Sequence, residues 1–117
     1  MNTTLWLILF LFTKHFVIDY PLQVRYQYSN KGTYGHPGGL LHAGLHGVGT
    51  FLCFYWFAPE AALYLAWIDA TLHYHIDWAK MNWGNRDITT KAFWAHLGLD
   101  QMLHQITYIL LLVIAVS

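Results

Sequence analysis

Residues 15–20, HFVIDY, place a histidine and an aspartate four positions apart inside an otherwise apolar run, and residues 73–78, HYHIDW, repeat the arrangement with His73 and Asp77. Residues four apart stand one turn above each other on the same face of an α-helix. Further along, the second apolar run carries His42 and His46. The third adds Asp69 ahead of His73 and Asp77, and the last carries His96, Asp100 and His104. Every apolar run presents imidazoles or carboxylates at one spacing. The third and fourth stripes are complementary, Asp-His-Asp against His-Asp-His.

The chain around these stripes has the composition of a membrane protein. Of its 117 residues, 56% are hydrophobic and 10% are charged, where a soluble domain carries roughly 25% charged residues. Its many Trp and Tyr suit the membrane–water boundary. Six basic and six acidic residues cancel, so no overall field points to nucleic acid as a partner. Cys53 is the only cysteine and lies in the apolar FLCFYWF (51–57), which excludes an intrachain disulfide and reads as a buried thiol. The opening MNTTLWLILFLF has no basic leader and no small-residue cleavage site after it, so it reads as a retained helix.

Turn signals divide the chain into four apolar segments. Thr3 or Thr4 can cap the first, and Pro21 ends it. Residues 20–38 form a connector rich in Tyr with Pro37 and a glycine cluster, APE (58–60) is a tight turn, and NWGNRD (82–87) is a short polar loop. The Gly- and Ala-rich start of the second segment suits close approach of a neighbouring helix. One domain, 1–117, is expected, with helices over about 4–19, 39–57, 60–81 and 88–116. The expected fold is all-α, a four-helix antiparallel transmembrane bundle. Lys14, Arg25, Lys31, Lys80, Arg86 and Lys91 all fall near the end that holds the 20–38 and 82–87 connections, and the opposite end has Glu60 but no Lys or Arg. The positive-inside rule then makes the connector end cytoplasmic and puts both termini outside.

Up-and-down topology brings the polar stripes toward one level near that connector end. The candidate metal ligands are His15, Asp19, His42, His46, His73, Asp77, Asp100 and His104, two from each helix and enough for two ions. Imidazole and carboxylate together suit Zn, Fe or Mn. Four acids left bare in a membrane interior would cost about 2.5–3.5 kcal/mol each on insertion scales, and two divalent cations would balance them. Any one of these histidines alone reads as an ordinary helix contact; the set carries the argument. Asp69, His96, Gln23 and Gln101 adjoin the stripes as candidate supporting groups or a base. Lys80, Arg86 and Lys91 are candidate anion-binding cations. His36 and His75 read as interfacial.

HFVIDYPLQ, LLHAGLH, HYHIDWAK and LDQMLHQ together resemble a family of small bacterial and phage membrane proteins known as domain of unknown function three-three-zero-seven. The resemblance spans roughly residues 5–110. It implies a four-helix membrane fold in a bacterial inner membrane and assigns no activity. A looser likeness to inner-membrane proteins described as metal-dependent hydrolases implies the same eight residues as metal ligands. Asp69 and His96 fall outside the family pattern.

Three functional readings stay open at this point. The first is a metal-dependent hydrolase acting at the bilayer surface on a lipid or phosphate ester. The second is a b-type haem protein with two axial histidines. The third is a non-catalytic subunit for assembly or transport, whose polar core joins helices or relays protons. Oligomeric state is not addressed by the sequence.

Overall fold

Local signals mark where each helix starts and stops. A computed structural model of the chain describes residues 2–117. Helix α1 (Thr3–Asp19) is capped by Asn2, whose side chain accepts from the Leu5 amide. The expected caps, Thr3 and Thr4, are already inside the helix. Pro21 follows directly after its last turn. Proline suits the first helical position because its missing N–H has no partner there. Pro37 accordingly opens α3 (Pro37–Tyr55) and Pro59 opens α4 (Pro59–Trp83), so α3 begins earlier than expected, with His36 as its N-cap. Thr90 caps α5 (Lys91–Val116) by accepting from the Phe93 amide. That helix begins later than expected because Asp87 is engaged in a turn. Its carboxylate accepts from the amide and hydroxyl of Thr89, which hold it below its ordinary pKa. The connector is not structureless, for Arg25–Tyr28 form one further helical turn, α2.

The described residues are all helix and loop, without strands. The four long helices form a square. α3 and α4 share the most extensive interface, α1 packs on α3 and α5, and α4 packs on α5. α1 and α4 therefore lie on one diagonal. Gly47 permits the close α3–α4 contact, since a Cβ there would sit 3.1 Å from the Ala70 Cβ and 3.2 Å from the Ala66 carbonyl oxygen. The longest dimension is 41 Å. Among the described residues, α5 alone is by length and composition apolar and long enough to cross a membrane, where four spans are expected from sequence. α1 has 17 residues, α3 is diluted by Gly and His, and α4 carries Glu60, Asp69, Asp77 and Lys80.

One inward stripe at i, i+4 spacing supplies the core from each long helix. The stripes read Leu7, Leu11, His15, Asp19 on α1; His42, His46, Thr50, Phe54 on α3; Leu65, Asp69, His73, Asp77 on α4; and Asp100, His104, Tyr108, Leu112 on α5. All but His15 and Asp19 are buried, and the side chains of those two are each 12% exposed. Because neighbours run antiparallel, the apolar ends of the stripes meet in one half of the bundle and the polar ends in the other. Leu7, Leu11, Phe54, Leu65, Leu111 and Leu112 form the apolar half near the termini. Many large apolar side chains are exposed on the outside, Phe16, Leu52, Leu63, Trp67 and Ile106 among them.

Candidate metal centre

Two carboxylates organise the polar half. Asp19, at the end of α1, presents Oδ1 to the Nε2 atoms of His46 at 2.8 Å, His42 at 3.2 Å and His73 at 3.9 Å. Its Oδ2 faces His15 Nε2 at 2.9 Å. Asp77, on α4, presents Oδ2 to His73 Nε2 at 3.1 Å and His42 Nε2 at 3.4 Å, and Oδ1 to His104 Nε2 at 3.2 Å. The His42 and His73 Nε2 atoms are themselves 3.4 Å apart. His46, His73 and His104 stack with nearly parallel rings, at centroid separations of 3.6 Å and 4.0 Å. Asp19, His42, His46 and His73 each offer one ligand atom within 4.8 Å of the others, and so do His73, Asp77 and His104.

The hydrogen-bond partners decide which ring nitrogens are free. The Gln27 amide donates to the Leu22 carbonyl oxygen, leaving its Oε1 to accept from His42 Nδ1 at 3.1 Å. In neutral His42 the Nε2 lone pair then points at two carboxylate oxygens, an arrangement that is repulsive unless a cation or proton lies between them. Such outer partners commonly orient a histidine that binds metal. His46 is held the opposite way. Lys14 Nζ donates to its Nδ1 at 2.9 Å, and an ammonium has donors only, so His46 Nε2–H donates to Asp19. His73 Nδ1 is buried without a hydrogen-bond partner in the protein, and so are Asp69 Oδ1 and Asp100 Oδ1.

Lysines neutralise three of the four acids. Lys14 pairs with Asp69 at 2.9 Å, Lys31 with Asp77 at 3.4 Å and Lys80 with Asp100 at 3.3 Å. Among the described residues Asp19 has no lysine partner and is surrounded by imidazoles. The balance of four acids against two divalent ions therefore changes, since only one carboxylate is left for an external cation to compensate.

The remaining candidate residues divide by position. His15 stands beside the cluster. Its Nε2 faces Gln101 Oε1 at 3.0 Å as well as Asp19, and its Nδ1 faces the Tyr108 hydroxyl at 2.6 Å. This makes His15 a donor that orients Asp19. Asp100 Oδ1 lies 3.4 Å from His104 Nε2, and Gln101 donates to Asp100 Oδ2. Asp69 sits deeper, bonded by Lys14 and the Thr50 hydroxyl. Gln23 donates to the Asp19 carbonyl oxygen and accepts from Lys31. His96 is away from the cluster and accepts from the Asn85 amide at 2.8 Å. Arg86 folds onto the Met81 carbonyl oxygen, and Lys91 is exposed at the start of α5.

Five participants lie outside the set of site residues expected from sequence: Lys14, which as a charge in an apolar run is expected only to face a polar interior or the interface, and Gln27, Lys31, Thr50 and Tyr108. A signal for four of them was present. Thr50 continues the His42–His46 stripe by four, Tyr108 continues Asp100–His104 by four, and Gln27 and Lys31 continue Gln23 by fours through the connector.

The family model described as Protein of unknown function (DUF3307) matches residues 7–117. The chain belongs to this family. No curated protein and no solved structure matches it. The family's description names no activity, so the chemistry rests on the geometry above.

Proposed function

We propose that this family member is an integral membrane protein whose four long helices enclose one divalent transition-metal ion, bound chiefly by Asp19, His42, His73 and Asp77. The observation that carries this reading is the convergence of imidazole Nε2 atoms on the oxygens of two buried carboxylates. Five separations among these four donor atoms run from 3.1 to 3.9 Å. Neighbouring ligands around an ion with bonds of 2.0–2.2 Å sit roughly 2.8–3.6 Å apart, from octahedral to tetrahedral geometry, and of these five separations only His73 to Asp19 lies outside that range. The donor set of imidazole and carboxylate suits Zn, Fe or Mn. The lysine pairing favours one ion over two. In contrast, stacked rings at 3.6 Å and 4.0 Å leave no slot between these histidines for a haem macrocycle.

The membrane reading is supported by the large apolar side chains exposed around a core that is polar in one half, and by α5. In a soluble monomer, apolar surface on every long helix would drive association. The 41 Å length is close to the thickness of a bilayer with its headgroups, about 40–45 Å. The basic residues gathered near the connector end support a reading in which that end, and with it the metal centre, faces the cytoplasmic leaflet.

Hydrolysis of a lipid or phosphate ester is the reaction class this arrangement suits. A bound divalent ion supplies Lewis acidity and a water of lowered pKa. The protein's part is to hold that ion, to orient Asp19 through His15 and His46, and to keep Lys80 and His104 on Asp100 at the edge of the site. A second reading, a metal-free hydrogen-bonded core, is favoured by the Lys14–His46 contact and by the three lysine–aspartate pairs.

Elemental analysis of protein purified in detergent separates the two. About one equivalent of Zn, Fe or Mn per chain is expected, lost in Asp19→Asn and in His42→Ala while far-UV circular dichroism is unchanged. Helical wild-type protein that binds no added transition metal would falsify the metal reading and leave the hydrogen-bonded core.

A further inference from the structure

A groove of about 450 Å³ runs between α4 and α5 on the outer face of the bundle. Its volume lies within the range of small-molecule sites. The walls are apolar, with Leu72, Ile76, Leu99 and Leu103 along its length and Trp83 near the connector end. Its polar lining is Lys80, His96 and Asp100 near that same end and His75 further along, whose Nδ1 donates to the Thr71 carbonyl oxygen and whose Nε2 accepts from the Tyr34 hydroxyl.

The donors there are specific. Lys80 is the most open of the three paired lysines, with 24% of its side chain exposed against 8% for Lys14 and 10% for Lys31. His96 accepts the Asn85 amide at Nδ1, so in the neutral ring the proton is on Nε2, a second donor. The one acid, Asp100, already receives Lys80 and Gln101 on Oδ2 and faces His104 through Oδ1. Asp100 thus touches both the groove and the histidine beside Asp77. A second groove, between α1 and α3, is equally apolar, but its cation is Lys14, buried and committed to Asp69 and His46.

From this we infer that the α4–α5 groove binds one acyl or alkyl chain of a lipid whose headgroup carries a phosphate. The chain lies against Leu72, Ile76, Leu99 and Leu103, and the phosphate is received by Lys80 and His96. The inference rests on the membrane reading above and names the substrate class for that centre. Charge complementarity selects the occupant, since two donors at one end of an apolar trough fit an anionic head on an apolar tail. The trough opens on the exterior of the bundle, so the lipid enters sideways from the bilayer.

The test is binding of n-dodecylphosphonate, which has no ester to cleave, to the protein in micelles of a phosphate-free maltoside detergent, read by Trp fluorescence. Saturable binding is expected, weakened about tenfold or more in Lys80→Gln and abolished in Leu103→Trp, which fills the trough. Leu52→Trp, in the other groove, should bind as wild type. Dodecyltrimethylammonium and inorganic phosphate should not compete; competition by phosphate alone would mean that a free anion is the ligand. Equal binding of the cationic and anionic amphiphiles, indifference to both Lys80→Gln and Leu103→Trp, or loss only in Leu52→Trp would overturn the proposal. Metal content measured on the same samples keeps this result separate from that of the metal reading.

Discussion

The two halves of this bundle are built by the same helices and filled by the same stripes, yet their chemistry is opposite. Near the termini, Leu11, Phe54, Leu65 and Leu111 are each 0% exposed. One or two turns further along, His46 and His73 are also 0% exposed. Helical spacing decides which positions face inward. It does not decide what is placed there. The apolar half needs only shape and dispersion. The polar half demands that each donor meet an acceptor, because an unpartnered polar group without water is costly. That half accordingly draws on residues outside the stripes, Lys14 from α1 and Gln27 and Lys31 from the connector.

The strongest way to break this comparison is to remove the one acid that no lysine neutralises. Asp19→Asn should lower metal affinity by about 100-fold or more with the helices retained, measured by metal titration and circular dichroism. Second, Lys14→Met leaves Asp69 buried without its cation and should cost about 3–5 kcal/mol. Thermal unfolding in detergent reads this, and Lys14→Met with Asp69→Leu should recover most of the loss. Leu65→Ala, in the apolar half, should cost about 2–5 kcal/mol through its cavity. Metal stoichiometry should stay unchanged; if it falls with stability, the two halves are not separable. Smallest is Gln27→Ala, which frees the His42 tautomer. A drop of about tenfold in metal affinity is expected there, with thermal stability shifted by only about 1 kcal/mol.

Much of this plan was legible in the chain because the stripes are local. His15–Asp19, His42–His46, Asp69–His73–Asp77 and Asp100–His104 declare their shared face through spacing alone. Thr50 and Tyr108 obey the same spacing but lie where the stripes turn apolar, so nothing local marks them as parts of the site. Gln27 and Lys31 also kept the interval, but nothing local shows that the connector folds back over the bundle end. Lys14 stands off the His15–Asp19 stripe, on the adjoining buried row of Leu11 and Ile18. Its long side chain enters the core from beside His15, into space that Gly49 leaves open, since a Cβ there would be 3.0 Å from the Lys14 Cδ. His96 keeps the spacing yet sits at the start of α5, where the Asn85 amide engages it outside the cluster.

By itself the sequence determined four amphipathic faces, their polarity and the end of the bundle at which acids and imidazoles gather, because helical periodicity is a property of neighbouring residues. Only the tertiary structure decided which carboxylate is left without a lysine, which imidazole nitrogen points inward and how closely the donors approach. Those depend on contacts between helices that are distant in the chain, where a shift of one ångström separates a hydrogen bond from none.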